Sequence, residues 1–523
     1  MNTDLTLCLA VIAVPLLGAL AMALSRGRGA CLAALTAVPA VAAAVGGPTP
    51  VCELPGLLLG CRLGVDELGA VFLLFTGLVW FFAILFAGGY ITRHRAGFFA
   101  ALLVAMTGNL GLILAQDMPT FYLFFALMSF SSYPLVVHRG DGAARDAGKV
   151  YLVLVVTGEV LIFSGMIGLA HAVGTTAFAE MGGDWVTSPH APVLIAALLL
   201  GFGIKAGALP LHVWLPLAHP AAPAPASAVL SGAMIKAGLL GWLRFLPVGE
   251  AALPGWGELL FWGGLVAAVH AVPFGFFQQQ AKTVLAYSSI SKMGLMTAAV
   301  GLALVYPAKA APLIAAVSMF AFDHALTKGA LFLGTSIHPG QANGAVGRWS
   351  VRLGLLVPAL SLAGFAFTGG LMAKTLLKKP LTAYGPEPGA LYAALLLFAS
   401  LGAVLLATRF LWIHLRQAAP PRPGRSAYWA WGLQSLAVAG LPAVYVLRIA
   451  PEDAAKFLDP AVVQDAVWPV ALAGALAALA AFAAGPVAWP MASLPPGDFL
   501  VFYRWVLRLV ARGLAAAGRA IAS

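Results

Sequence analysis

The sequence predicts an all-α polytopic membrane protein with about 14–15 transmembrane helices. Three observations predict this fold class: 61% of the 523 residues are hydrophobic, only 9% are charged, and the mean hydropathy is +0.93. Ordinary soluble domains have about 25% charged residues. So little polar surface excludes a soluble enzyme, a disordered protein and a nucleic-acid-binding protein. The net charge of +11 fits the Lys/Arg excess that membrane proteins keep on their cytoplasmic side.

Apolar stretches long enough to cross a bilayer recur along the chain. A transmembrane helix needs about 20 apolar residues. By that length the sequence contains fifteen candidate spans, at residues 5–24, 30–46, 66–90, 97–115, 120–137, 150–172, 192–217, 227–246, 256–276, 283–306, 310–337, 353–376, 390–415, 426–448 and 467–490. The last segment, 498–520, has arginines at spacings of four and seven and is predicted to be an amphipathic surface helix.

The charges of the loops predict the orientation. Loops after odd-numbered spans carry basic residues, such as Arg26, Arg28, Arg93 and Arg95, and the opposite loops carry acids such as Glu180. Cytoplasmic loops have the excess of Lys and Arg. We therefore expect a multi-pass protein of the bacterial inner (plasma) membrane, with the N-terminus outside and the C-terminus in the cytoplasm.

Two spans contain residues that interrupt a helix. Span seven has Pro210 and Pro216 inside an apolar run, and span twelve has Gly364, Gly369 and Gly370 near its middle. Proline removes a helical donor, and glycine lowers the cost of unwinding. A pair of interrupted helices at corresponding places in two halves is typical of an inverted-repeat transporter. The breaks lie five spans apart, which predicts two five-helix units, spans four to eight and nine to thirteen.

Five lysines lie inside predicted spans. They are Lys205, Lys236, Lys292, Lys328 and Lys374. One lysine at a helix centre costs about 2.5–3.5 kcal/mol, so these side chains must face water, polar groups or each other. A row of them at mid-membrane depth is interpreted as a path for protons. For Lys292 and Lys374 an alternative is that the ammonium reaches the membrane interface, because each lies near a span end.

Histidines and acids extend this row. His324 lies four residues before Lys328 on the same helix face, and it is either a relay or a packing residue. His212 follows the break in span seven, and Asp323 lies beside His324. Glu159, in span six, needs a buried partner, for which Lys205 and Lys236 are the candidates. None of the four cysteines belongs to a CxxC or Cys/His cluster, so neither a metal nor a cofactor is predicted.

At these residues the sequence resembles the antiporter-like membrane subunits shared by respiratory complex I, membrane-bound hydrogenases and Mrp-type Na+/H+ antiporters. The stretch KAGALPLHVWLPLAHPAAPAPASAVLSGAMIKAG (205–238) is similar to that family's signature. Four further blocks are similar: residues 65–90, KTVLAYSSISKMG (282–294), HALTKGALFL (324–333) and LSLAGFAFTGGLMAK (360–374). The resemblance covers about residues 65–415.

The resemblance implies two inverted repeats and a relay of titratable residues. The implied regions are 1–96 for helices 1–3, 97–246 and 256–415 for the two repeats, 426–490 for C-terminal helices and 498–520 for the surface helix. The resemblance implies that the proton relay is Lys205, Lys236, His324, Lys328 and Lys374. The position of Glu159, His212, Lys292 and Asp323 in or beside apolar spans makes these four further candidates for relay or pairing.

One position departs from the family pattern. The family has a glutamate in helix five that pairs with the helix-seven lysine, but here FALMSFSSYPLVVH places Ala126 there. Either Glu159 replaces it, or this half conducts differently or not at all. A second departure is Lys292, where many relatives have histidine. Both favour a divergent branch, such as an Mrp-like or hydrogenase-associated subunit.

The function predicted is that of a proton-translocating subunit of a multi-subunit membrane complex, driven by a partner subunit. Alternatives are a subunit for Na+/H+ exchange or for proton-driven uptake of inorganic carbon, and, in another class, a non-conducting membrane scaffold. The sequence shows no catalytic centre of its own, and an oxidoreductase assembly of the NADH dehydrogenase or hydrogenase type is one candidate for the larger complex. The expected partners are those subunits and the lipid bilayer, with no nucleic acid.

Overall fold

The computed structural model describes residues 3–57, 60–384, 389–449, 451, 455–484, 494–503, 505 and 508. The α-helices are α1 Thr3–Leu24, α2 Val38–Gly46, α3 Glu67–Tyr90, α4 Arg95–Leu114, α5 Met118–Ser131, α6 Tyr133–Val136, α7 Gly142–Val173, α8 Ala191–Ala206, α9 Leu215–Ala221, α10 Ala224–Val229, α11 Ile235–Phe245, α12 Pro254–Phe276, α13 Ala281–Val305, α14 Ala310–Gly334, α15 Gly344–Ala363, α16 Gly369–Tyr384, α17 Gly389–Arg416, α18 Arg425–Ile449 and α19 Pro460–Ala484. A small antiparallel hairpin, β1 Cys52–Leu54 and β2 Cys61–Leu63, precedes α3.

The predicted all-α polytopic fold is confirmed. Within the described ranges, twelve helical segments are long and apolar enough to cross a membrane, and each coincides with a predicted span. The other three predicted spans differ: 30–46 is a 3-10 turn followed by the short helix α2, 353–376 is divided between α15 and α16, and 467–490 falls partly on α19 and partly outside the described residues. Most of the predicted surface helix 498–520 also lies outside them.

Both predicted interruptions are present, and both helices end in the same way. The helix α8 ends at Gly207 and α15 ends at Gly364, and each glycine has φ 71° and ψ 36°. This left-handed conformation is favourable for glycine and stops the helix. After Gly207 the chain passes Pro210 into a 3-10 turn, Leu211–Trp214, and then α9. The indole of Trp214 donates to the carbonyl of Ile204 at 2.8 Å, which adds to the longer 3.3 Å bond that this carbonyl accepts from the backbone N–H of Gly207 at the break.

Close packing places α11 against α8. A Cβ on Gly238 would lie 2.5 Å from the backbone nitrogen of Ala206, so glycine is needed where these helices meet. Nearly every residue of the segment Ala224–Phe245, which contains α10 and α11, is buried. Two of the predicted relay lysines, Lys205 and Lys236, therefore lie on helices that pack directly together inside the protein.

Asp66 joins the start of α3 to the end of α11. Its carboxylate accepts from the backbone N–H of Gly69 at 2.8 Å and from two nitrogens of Arg244 at 2.5 and 2.7 Å. Partial burial alone would raise the pKa of Asp66, but the hydrogen bonds and charge of Arg244, helped by Gly69, outweigh it and hold the pKa below its usual range. The folded state thus favours the ionised carboxylate.

We expect the Asp66→Ala variant to have a lower thermal midpoint than the wild type. The change removes a helix N-cap, which contributes about 1 kcal/mol, and a bidentate contact with arginine. Because the pKa of Asp66 is lowered on folding, this stabilisation is present at neutral pH and is lost as the pH falls through the folded-state pKa. Thermal midpoints of the two chains in detergent, measured from pH 7 downwards, should converge in acid. A gap that stays constant would contradict this assignment.

Candidate functional site

Five predicted site residues lie together on three helices. They are Lys236 on α11, Lys292 on α13, and Asp323, His324 and Lys328 on α14, and we call them the central cluster. Each is close enough to another member for electrostatic interaction. Lys236 and Lys328 are both 0% exposed. Such groups are costly in the interior unless they are paired, hydrogen-bonded or functional.

A π-helical turn positions Lys236. This turn, Leu230–Met234, comes directly before α11. The ammonium of Lys236 donates to the carbonyl of Ser231 at 2.7 Å, and the hydroxyl of Ser231 lies 2.8 Å from that of Ser289 on α13. π-Helical turns inside helices are frequent at functional sites. The turn supplies the buried ammonium with a backbone acceptor and connects it to the neighbouring helix.

Lys328 and His324 lie one turn apart on α14, as their spacing predicts. The ammonium of Lys328 donates to the carbonyl of Leu285 at 2.7 Å and to the hydroxyl of Ser288, both on α13. Among the described residues, neither ring nitrogen of His324 has a hydrogen-bond partner. Most buried polar atoms in proteins do have one. Both nitrogens are therefore available for proton exchange with the neighbouring lysines.

Asp323 connects the central cluster to the second helix interruption. The hydroxyl of Ser361, near the end of α15, donates to Asp323 at 2.8 Å and accepts from the backbone N–H of Gly370 at 2.9 Å. A Cβ on Gly369 would lie 2.6 Å from Oδ1 of Asp323, so the carboxylate rests against the first residue of α16. A movement at this interruption would therefore shift the negative charge that faces the lysines of the cluster.

Lys374 lies beyond this interruption, on α16, and is half-buried. Its ammonium is close enough to that of Lys292 for the two to repel each other, and the ammonium of Lys292 packs 5.4 Å from the centre of the Phe320 ring. Lys374 lines a cavity of about 530 Å3 together with Lys378 and Asp465, which form an exposed ion pair at 3.5 Å. The row thus continues from the central cluster to charged groups near the surface.

Two basic residues that the sequence analysis did not include extend the row in the other direction. His219 is 0% exposed, stacks on Phe332 and is within electrostatic range of Lys328 and Lys282. Lys282, at the start of α13, donates to the carbonyl of Ala222 at 2.6 Å. His219 was hard to recognise because its segment, HPAAPAPAS, has the composition of an exposed loop, whereas the structure folds it into the buried helices α9 and α10.

Lys205 and Glu159 form a second, separate group in the first half. Lys205 lies in the last turn of α8, directly before the first interruption, and is 3% exposed. Its ammonium lies 3.4 Å from the hydroxyl of Tyr151 on α7, which donates to the carbonyl of Ser129 at 3.0 Å. Glu159 is also on α7, is 4% exposed, and interacts electrostatically with Lys205. Of its two predicted partners, Lys205 is therefore the one that the structure places beside it.

One face of α5 is directed towards Glu159. Tyr122 and Ser129 both lie beside its carboxyl group, and Ala126 falls between them at helical spacing on the same face. In the part of the chain that the structure describes, Oε2 of Glu159 and the hydroxyl of Ser129 have no hydrogen-bond partner. A carboxylate at position 126 and the carboxylate of Glu159 would thus reach the same buried space from neighbouring helices.

His212 lies apart from both groups. It follows the first interruption and is 0% exposed, and its Nε2 lies 3.0 Å from Oδ1 of Asp498. The other carboxylate oxygen of Asp498 lies 2.5 Å from Nε2 of His270 on α12. The sequence analysis missed both partners. A signal existed for His270, which is a lone histidine in an apolar span, but none marks Asp498.

Comparison with known proteins identifies a matching protein family. Residues 115–386, slightly more than half of the chain, match the family model described as NADH:quinone oxidoreductase/Mrp antiporter, transmembrane. The chain belongs to this family. The matched region contains the central cluster, Lys374 and the pair of Glu159 and Lys205. The resemblance inferred from the sequence motifs is confirmed, and the chain is a multi-pass membrane protein.

Relatives of the chain come from several kinds of membrane complex. Hydrogenase-4 component B of Escherichia coli is 28% identical over 52% of this chain and 42% of its own length. The putative antiporter subunit mnhA2 of Staphylococcus saprophyticus is 29% identical over 59% of this chain and 42% of its own length. NADH-quinone oxidoreductase subunit N of Heliobacterium modesticaldum is 31% identical over 28% of this chain and 31% of its own length. The matches thus span less than half the length of these curated relatives.

Solved structures share the whole fold. A chain of the Mrp complex from Dietzia sp. DQ12-45-1b superposes with a TM-score of 0.77 and 22% identity, over 97% of this chain and 60% of that chain. A chain of the membrane-bound sulfane sulfur reductase, an archaeal respiratory membrane complex, superposes with a TM-score of 0.71 and 22% identity, over 89% and 99%. The helical architecture is therefore that of antiporter-like subunits.

Proposed function

We propose that this chain is a proton-translocating, antiporter-like subunit of a multi-subunit membrane complex. The central cluster carries the proposal, because two buried lysines, a half-buried third lysine and a buried histidine lie together with the carboxylate of Asp323 in membrane-spanning helices. Like charges this close together and away from water cannot all remain protonated. A proton that binds one side chain therefore favours release from its neighbour, which is the elementary step of a relay.

The relay has two ends. On one side, Lys328 is followed by His219 and Lys282, and Lys282 lies within electrostatic range of the exposed residue Arg139. On the other side, Lys292 is followed by Lys374 and the cavity that reaches the exposed pair of Lys378 and Asp465. Protons would move along this row between the two aqueous faces, and the polar loops at either end would supply and remove them.

Lys205 and Glu159, in the first half of the protein, would couple the movement of the interrupted helix to the release of a proton. Lys205 precedes one helix interruption, and Asp323 is hydrogen-bonded to the residues of the other. We infer two inverted five-helix repeats, 97–246 and 256–415, whose interrupted helices end alike. When Glu159 and Lys205 separate, the lysine loses a counter-charge and its proton is released more readily. That change would be passed to Lys236 on the helix packed against α8.

Partner subunits would drive the transport. The matched relatives are named as components of hydrogenase, antiporter and quinone oxidoreductase assemblies, and by analogy this chain would assemble with comparable subunits. The loop charges support an orientation in a bacterial inner membrane with the N-terminus outside and the C-terminus in the cytoplasm. In that orientation the end of the relay near Arg139 is cytoplasmic, and the end near Asp465 faces outwards.

The test is transport by the assembled complex. A tagged full-length chain would be isolated with the subunits that co-purify with it, and the complex would be reconstituted into lipid vesicles containing a pH-sensitive dye. When the partner's reaction is started, the dye should report proton movement, collapsible by a protonophore, in sodium-free buffer. Proton movement that strictly requires Na+ would instead support the sodium-exchange alternative, and no ion movement would support a non-conducting scaffold.

A further inference from the structure

Three side chains from distant parts of the sequence converge outside the proton relay. His212 follows the first interruption, His270 lies within α12, and Asp498 lies in the C-terminal segment 494–503. Their ligand atoms all lie within 4.8 Å of one another. The side chains of His212 and Asp498 are 0% and 4% exposed, and that of His270 is 18% exposed.

We propose that His212, His270 and Asp498 bind a divalent transition-metal ion, with Zn2+ as the best match. Two imidazole nitrogens and one carboxylate oxygen form a ligand set that suits zinc, which is bound by three protein ligands and one exchangeable ligand in open sites. Calcium and magnesium prefer a full set of oxygen ligands and are disfavoured here.

The geometry is close to that of a zinc site. Ligand atoms that bind one tetrahedral zinc ion are about 3.3 Å apart, given metal–ligand distances of about 2.0–2.2 Å. Nε2 of His212 lies 3.0 Å from one oxygen of Asp498, Nε2 of His270 lies 2.5 Å from the other, and the ligand atoms all lie within 4.8 Å of one another. A shared ion therefore requires the two nitrogen–oxygen separations to open by less than about 1 Å and the two nitrogens to lie about 3.3 Å apart. Both rings direct Nε2 towards the same carboxylate, which is the arrangement that a shared ion requires.

Charge and hydrogen bonding also favour a cation here. The buried carboxylate of Asp498 has two imidazoles as its side-chain hydrogen-bond partners among the described residues. A divalent cation would compensate the charge of this carboxylate. Tyr287, which is 0% exposed, lies beside the Asp498 carboxylate and the backbone N–H groups of Gly497 and Asp498, but its hydroxyl forms no hydrogen bond of standard geometry with any residue that the structure describes. A water bound at the fourth position of the metal would provide one.

The ion would fasten the C-terminal segment to the interrupted helix. That segment is also held by the hydroxyl of Tyr503, which donates to the carbonyl of Pro210 at 2.9 Å, and by Gln278, which donates to the carbonyl of Leu494 at 3.3 Å. Phe499 packs against both imidazole rings, with centroids 5.9 and 5.5 Å away, and limits the access of solvent. A metal here would therefore link α12, the first interruption and the C-terminal segment.

The test measures metal binding, independently of transport. The full-length chain, purified in detergent and stripped with a chelator, would be titrated with Zn2+ against a chromophoric competitor, and with Co2+ to record the absorption of a tetrahedral site. We expect one site per chain. His270→Gln and Asp498→Asn should each weaken binding by about 100-fold or more, and Tyr287→Phe by about tenfold. His190→Gln is the matched control, because His190 is exposed in a loop.

A stabilisation assay separates binding from misfolding. Without metal, the His270→Gln chain should elute and melt like the wild type, because glutamine keeps a polar group near the carboxylate. Zinc should raise the thermal midpoint of the wild-type and His190→Gln chains, but not that of His270→Gln. Absence of saturable zinc binding in the wild type, or equal affinity in the wild type, His270→Gln and Asp498→Asn, would overturn the proposal and leave a purely hydrogen-bonded cluster.

Discussion

Proton transport by the Lys236→Met complex is expected to fall by about 100-fold or more, while the complex still assembles. Lys236 is fully buried, and its charge acts on Asp323, His324 and Lys328, so its removal interrupts the row at its centre. A positioned proton-transfer group contributes about 10²–10⁴-fold to a rate. Methionine keeps the length of the side chain, and Lys292 remains as a positively charged neighbour of Asp323, so the carboxylate is not left without a counter-charge. Function should therefore be lost without loss of the fold.

Two further variants make this prediction specific. Lys149→Met is the matched control, because this lysine is 75% exposed and paired with Asp146, and its loss should leave transport unchanged. Lys236→Arg keeps the positive charge but cannot release its proton, so it should fail like the methionine variant. Wild-type transport by Lys236→Arg would show that the position needs a charge and not proton exchange, which would contradict the relay.

The sequence predicted the fold well because lipid imposes simple rules on it. Twelve predicted spans coincide with helices because a bilayer requires a minimum apolar length, and both interruptions were visible as Pro210, Gly364 and neighbouring residues. Two predicted spans are not single long helices. The stretch 30–46 consists of a 3-10 turn and a short helix, and span twelve divides at Gly364, whose left-handed conformation ends α15.

The candidate site was predictable by residue type but not by contact. Lysines inside apolar spans are conspicuous, and the spacing of His324 and Lys328 places them on one face. However, the link from Asp323 through Ser361 to Gly370 depends on how α14, α15 and α16 are rotated against one another, which the hydrophobic pattern does not specify. The same is true of Asp498, which reaches two histidines more than 200 positions away along the chain.

The Glu159→Gln variant is expected to lower transport by about tenfold or more. Glu159 is 4% exposed and is the carboxylate that acts on the charge of Lys205, so glutamine would leave the ammonium without its counter-charge. The variant preserves size and polarity, so assembly should be unaffected. Glu258→Gln is the matched control, because Glu258 lies on the exposed side of α12. Transport would be measured in vesicles as above, with the same partner reaction.

Moving the carboxylate back to α5 tests whether Glu159 replaces the missing family glutamate. Ala126 lies between Tyr122 and Ser129, which both border the Glu159 carboxyl, so a glutamate at position 126 would enter the same buried space. In the double variant Ala126→Glu/Glu159→Gln, transport should recover to within about threefold of the wild type. One carboxylate again faces Lys205, so the cause of the slow proton transfer in Glu159→Gln is removed. Ala126→Glu alone should transport protons more slowly than the wild type, because two carboxylates would then compete for one lysine.

If Glu159→Gln is inactive and the double variant is no better, the carboxylate is needed on α7, and the idea that Glu159 replaces a glutamate at position 126 is wrong. If Glu159→Gln transports normally, the first half does not depend on this ion pair, and proton movement belongs to the central cluster.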